Sequence, residues 1–251
     1  MSMVSSVVGG GDTHADVHVA AAIDQNGGVL GVESFSVDAA GYRSLLSWLS
    51  GFGPVVRVGV EGTGSYGVGL ARHLHREGVV VVEVDRQNRQ IRRKLGKSDP
   101  IDAEAAARAA LSGSAKTTPK RRDGTVEQMR VLMIARRSAR MQRNQTLNQL
   151  RQIVICGPDE IRARFKDRYK TGLVTEAAAM RPRKGSDPIF FTTKLVIRGL
   201  ARRIQALNDE LRTIDRALEE QIGQTAQSLL DCYGFGAVTA DTLLVTAGDN
   251  P

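Results

Sequence analysis

The feature that most restricts what this chain can fold into is an ordered change of hydrophobic period within its first 85 residues. "VSSVVGGGD" passes through a short turn to "DVHVAAAID", and "QNGG" separates that run from "VLGVESFSV", so residues 4 to 37 read as three strands of an antiparallel meander. Tyr42, Leu45, Leu46 and Leu49 then recur at helical spacing. "VVRVGV" (55 to 60) is a short apolar strand, Gly64 to Glu77 reads as a helix with Leu70 and Leu74 inward, and "VVVVEV" (79 to 84) is another buried strand. The expected order is βββαβαβ. A meander continued by right-handed βα crossovers gives a mixed sheet flanked by helices, an α/β domain.

From about residue 116 the strand pattern gives way to long helices. Residues 125 to 155 form one of them, with Arg130, Arg136, Arg137, Arg140, Arg143 and Arg151 against a single acid, Glu127. Ile197, Leu200, Ile204, Leu207, Leu211, Ile214 and Leu218 step by alternating threes and fours, a heptad seam that can dimerise or fold back on the Arg-rich helix as a hairpin. The expected domains are 1 to 115 (sheet), 116 to 225 (basic, helical, with a coiled coil) and 226 to 251 (the opening of a further domain).

Charge follows the same division. Residues 1 to 112 hold 11 Lys and Arg against 12 Asp and Glu, whereas the remainder carries 24 against 15. Inside the neutral part, "DRQNRQIRRKLGK" places Arg86, Arg89, Arg92, Arg93, Lys94 and Lys97 together without an acid among them. Such clusters meet phosphate backbones or serve as a solvated face; with Arg136, Arg140 and Arg143 they are the expected nucleic-acid contacts. Two cysteines, Cys156 and Cys232, cannot form a disulfide framework and are expected to be small buried apolar residues in a reducing, cytoplasmic setting. No segment approaches the roughly 18 apolar residues of a membrane span.

The chemistry rests on four acids. Asp12 ends the first strand, Glu61 ends the fourth immediately before "GTGSYG", and Asp99 and Asp102 open a later helix. Taken singly, each has an ordinary reading: a turn residue at a strand end, or Asp99 as N-cap, Pro100 as first helical residue and Asp102 as third, satisfying free N–H groups. Three residues also turn a helix by about 300°, leaving Asp99 and Asp102 as neighbours on one face. If the fourth strand lies parallel beside the first, Asp12 and Glu61 end on one edge, and a helix packed across that edge brings the other two to them. Four crowded carboxylates repel unless a divalent cation holds them, and Mg²⁺, with one or two ions, suits hard oxygen ligands and phosphates together.

"GGGDTHADVHVAAAID", "VGVEGTGSYG" and "KSDPIDAEAAARA" together resemble the Asp, Glu and Asp-x-x-Asp motifs of the IS110/IS1111 family of insertion-sequence transposases. The resemblance implies an RNase H-like, RuvC-like fold for the N-terminal domain, with Asp12, Glu61, Asp99 and Asp102 as its acidic tetrad. It further implies a coiled-coil domain, a homo-oligomer, action on DNA at element ends and target, and a structured guide RNA. Many members carry Lys where this chain has Ala15. The family's nucleophile is a serine of a C-terminal domain, and "GFGAVTADTLLVTAGDNP" resembles only that domain's opening, so the serine is expected beyond Pro251 and no nucleophile is assigned here. Ser65 and Ser98 read as a turn residue and a helix-approach residue. Other readings are a nucleotide-binding protein of the actin and sugar-kinase class, a junction-resolving nuclease using the same acids, and a non-catalytic nucleic-acid-binding remnant.

Overall fold

In the computed structural model, residues 6–85, 98–166, 172–183, 185, 187–234 and 236–247 are described. The chain divides into two compact units, one running to Asp123 and the other spanning Gly124–Gly248.

The first unit is a five-stranded mixed sheet. Strands β1 (Val7–Thr13), β2 (Val17–Ile23) and β3 (Val29–Ser36) form the meander, followed by α1 (Ala39–Phe52), β4 (Val55–Glu61), α2 (Val68–Arg76), β5 (Val80–Val84) and α3 (Asp99–Ser112). The strand order is β3-β2-β1-β4-β5, so the first strand lies in the middle. It pairs antiparallel with β2 and parallel with β4, which in turn pairs parallel with β5. Helix α2 starts at Val68, later than the pattern predicts, because the glycine-rich run from Gly62, itself at φ 69°, forms turns instead.

Alternation along the strands assigns the two faces. Val7, Ala20, Ala22, Val58, Val60 and Val81 pack against Leu45 and Leu49 of α1 and Leu70 and Leu74 of α2. On the other face, Val8, Ile23 and Val82 meet Ala107 and Ala110 of α3, while Val19 and Ala21 meet Ala103.

The second unit comprises α4 (Gly124–Cys156), α5 (Asp159–Phe165), α6 (Leu173–Ala178), α7 (Pro188–Leu230) and α8 (Ala237–Ala247). Pro188 and the Asp187 cap, whose carboxylate accepts the Phe190 N–H at 2.9 Å, start the longest of these. Met129 packs with Leu218 and Ile222, Ala139 with Leu207 and Leu211, and Leu150 and Val154 with Ile197 and Ala201, so α4 and α7 run antiparallel. Of the two uses open to the heptad seam, it is buried inside the chain as a hairpin. Cys156 and Cys232 are both exposed, contrary to the expectation of burial: each falls at or beyond a helix end, outside the packed seam.

Candidate functional site

Gly10 of β1 and Gly59 of β4 are register partners on the face covered by α3. A methyl group built on Gly10 would lie 2.2 Å from the Ala103 carbonyl oxygen and from the Ala107 nitrogen, and one on Gly59 would lie 2.4 Å from the Ala106 carbonyl oxygen. Backbone therefore rests on backbone, which only glycine beneath and alanine above allow. Two residues further along each strand, on this same face, come Asp12 and Glu61. The sheet-facing stripe of α3 is Asp102, Ala103, Ala106, Ala107 and Ala110, so close seating of its alanines brings Asp102 to the strand ends.

Asp12, Glu61 and Asp102 are buried, at 3%, 8% and 6% exposure, whereas the Asp99 side chain is about half exposed. His14 Nε2 lies 3.1 Å from Asp12 Oδ2 and 3.6 Å from Asp99 Oδ1. One ligand atom from each of Asp12, His14 and Asp99 falls within 4.8 Å of the others. The Thr13 hydroxyl donates to the Glu61 carbonyl oxygen at 2.7 Å, tying the two strand ends. Burial pushes the Asp12 carboxyl above its ordinary range, and the Asp102 and Asp99 charges push the same way, while His14 opposes them. Negative charge thus gathers at a poorly hydrated edge, which a cation would relieve. Carboxylate oxygens with one imidazole nitrogen fit a divalent ion such as Mg²⁺ or Mn²⁺.

Of the four acids expected to meet, Asp12 and Asp99 join in this group, Asp102 is buried and electrostatically coupled to Asp12, and Glu61 ends the adjacent strand. His14 was not among the expected residues. Its signal was the Asp-x-His spacing at the end of a strand, which sends both side chains to one side. Ser98, not Asp99, occupies the cap position of α3, and its side chain makes no capping bond. Ser65 is an exposed turn residue whose hydroxyl donates to the Gly62 carbonyl at 3.3 Å.

The cluster Arg86, Arg89, Arg92, Arg93, Lys94 and Lys97 lies outside the described residues. Arg136, Arg140 and Arg143 share one side of α4 and line a groove of about 510 Å³ with Asn208, Arg212 and Asp215 of α7. Arg136 Nε donates to Asp215 Oδ1 at 2.6 Å, so its charge is already balanced, while Arg140 and Arg143 form no ion pair among the described residues.

A five-stranded mixed sheet carrying acids at the joint ends of its parallel central strands defines a class of α/β domains able to hold a divalent ion at that edge. Residues 10–155, more than half of the chain, match the family model described as transposase, and the protein belongs to the DEDD transposases of the IS110 type. Nothing among curated proteins matches the chain. Among the described residues, no helix is long and apolar enough to cross a membrane.

Proposed function

We propose that this transposase acts on DNA through a Mg²⁺-dependent site made by Asp12, Glu61, Asp99 and Asp102, taking part in strand cleavage and rejoining at element ends and target. The observation that carries this is the convergence of Asp12, His14 and Asp99 within ligand reach of one ion, at the edge where Glu61 and the buried Asp102 also lie. Asp12 and Asp99 would hold the ion, and Glu61 and Asp102 would complete its surroundings or a second ion's. When bound, a divalent cation polarises a phosphoryl oxygen and offsets the charge that accumulates there. The chain's own part is positional: Thr13 fixes the spacing of the two strand ends, and the glycine floor under α3 fixes the height of its carboxylates above them. In this reading the nucleophile belongs to the family's serine-bearing domain, which residues 226 to 251 open, and the helical unit forms the coiled-coil part.

Arg140 and Arg143 are the proposed nucleic-acid contacts of the helical unit, for DNA or for a structured guide RNA, because the groove's one carboxylate, Asp215, pairs with Arg136 and neither of these two is ion-paired among the described residues. Homo-oligomer formation would use Val131, Ile134 and Met141 of α4, which share heptad spacing and are 54%, 57% and 67% exposed.

The deciding test is thermal unfolding with and without metal. Mg²⁺ or Mn²⁺ at about 100 times its dissociation constant should stabilise the protein by about 2.7 kcal/mol. Asp12→Asn and Asp102→Asn should remove most of that gain. An equal loss of stability by these variants with and without metal would reduce the acids to a structural role.

A further inference from the structure

A second cluster in the sheet unit, separate from the acids, belongs to no function considered so far. After α3 the chain runs back along the sheet edge, where the Glu83 N–H donates to the Thr117 carbonyl at 2.7 Å. It then crosses to α2 as the tetrapeptide Lys120–Arg121–Arg122–Asp123. Arg121 joins Arg72, His75 and Arg76 of α2 around a cavity of about 190 Å³ whose one acidic lining residue is Asp123. The next residue, Arg122, places its guanidinium against Gly64, in the turn that follows Glu61. Arg122 holds a φ of 54°, the one non-glycine residue with positive φ among the described residues. Such a conformation costs of order 1–3 kcal/mol and persists only where surrounding contacts impose it. Here it splits two adjacent arginines between the pocket and the turn.

Three features give the pocket a ligand chemistry. None of Arg72, Arg76 and Arg121 is held in an ion pair among the described residues, and around the cavity their three guanidinium charges outnumber the single carboxylate of Asp123. Arg72 Nε and His75 Nε2 are shut off from solvent and lack hydrogen-bond partners. Buried polar groups of this kind ordinarily have a partner, and the protein supplies none to either atom here. The volume falls below the roughly 300–1,000 Å³ of sites that enclose a whole small molecule, so one anionic group fits better than a free nucleotide.

We infer that Arg72, His75, Arg76 and Arg121 form a subsite for a backbone phosphate of the DNA strand that approaches the acidic edge. Arg72 stands one turn into α2, about 6 Å of axial rise from the helix start that the Glu61 turn leads into, and His75 and Arg76 follow in its last turn, about 10–12 Å along. An edge carrying four carboxylates repels a polyanion, and a cationic subsite along the helix that leaves its turn supplies attraction for the flanking part of the strand. Guanidinium forks suit this task, since they pair with phosphate oxygens two at a time. The inference rests on the reading of the chain as acting on DNA. It can fail separately, because the metal-dependent melting test involves none of these residues.

The test uses the full chain in metal-free buffer with a short duplex DNA, and with RNA of equal length in a parallel arm. Arg76→Gln with Arg121→Gln replaces two exposed side chains and should lower the slope of log affinity against log salt by up to about 2. A matched pair elsewhere, Arg43→Gln with Arg162→Gln, removes the same charge and should leave the slope within experimental error. In the unmodified protein, the His75 imidazole resonances should shift on titration with the oligonucleotide and should not in the Arg76→Gln, Arg121→Gln protein. This readout stays informative even if the paired substitution impairs folding. Equal losses in the two pairs, a loss confined to RNA, an unmoved His75 signal, or no DNA binding by the unmodified protein would each overturn the subsite.

Discussion

The two units of this transposase solve the packing of a long helix in opposite ways. In the helical unit, α7 presents Ile197, Ile204, Leu207, Leu211, Ile214 and Leu218, each buried, so large side chains interdigitate with α4. In the sheet unit, α3 presents little beyond alanine to glycine-bearing strands. Fully burying a leucine is worth about 1.5–3 kcal/mol, whereas a methyl group adds roughly 0.8. The acidic face is thus held by fit, and the area that stabilises its sheet lies on the opposite face, under Leu45, Leu49, Leu70 and Leu74. Where carboxylates must be set to within fractions of an ångström, the chain uses backbone contact; where only two rods must stay together, it uses apolar volume.

This contrast breaks most visibly at Gly10. Gly10→Val would drive a branched side chain into the backbone of α3, and we expect loss of the folded sheet unit, seen as early hydrogen exchange throughout β1, β4 and α3 with the helical unit still protected. Gly10→Ala is the graded form, expected to cost about 1–3 kcal/mol and to weaken metal-dependent stabilisation beyond that cost, since α3 must lift and carry Asp102 with it. In the helical unit, Leu218→Ala should cost about 2–5 kcal/mol and leave the metal response intact, as checked by denaturant unfolding with and without Mg²⁺. If Leu218→Ala also removed the metal response, the two units would not be energetically independent.

A smaller effect sharpens the comparison through pH. His18 is buried in the sheet unit and stacked on Tyr42 at 5.8 Å, and burial, with His14 adding to it, pushes its pKa down to about 4. The unfolded chain then binds the proton first, so the sheet unit loses stability as pH falls from about 6.5 towards 4. Asp241 of α8 is buried too, and burial raises its carboxyl to about 6 against the pull of Arg136. There the folded state binds the proton first, so the helical unit gains stability as pH falls from about 6 towards 4. Hydrogen exchange at pH 7 and pH 5 should show opposite trends in the two units, with His18→Phe flattening one and Asp241→Asn the other. Parallel trends would refute the assignment. The smallest effect on stability, within about 0.5 kcal/mol, is expected for Val131→Lys with Ile134→Lys, and the proposed association through α4 predicts a lower sedimentation coefficient for this variant than for the unmodified protein.

Much of this architecture was legible in the residues, for identifiable reasons. Strands whose side chains face a helix on each side read as apolar runs, and the seam of α7 reads from its spacing, because both signals are local. The rule for βα crossovers made β4 a parallel strand of the sheet, and the condition that it lie beside β1, which brings Asp12 and Glu61 to one edge, is met in the structure. His14 was not legible as a partner of Asp99, since their contact spans 85 positions and depends on how low α3 sits. Nor was the subsite around Arg121, because nothing in "KTTPKRRD" says which side chains turn towards α2. The glycines were present as a composition signal, but their meaning emerged only with Ala103, Ala106 and Ala107 above them.

The placement of the first strand at the centre of the sheet has a consequence in time. As the chain emerges during synthesis, β1 can pair with β2 at once, but its other edge stays open until β4 arrives, and its acidic face stays bare until α3 has been made. Loop closure over some 90 positions is slow compared with a hairpin, so the contacts between Asp12 and α3 form later than the meander. A nascent chain therefore carries a partial sheet whose acids are not yet assembled, and the proposed site is complete only once the chain has been built past Ser112.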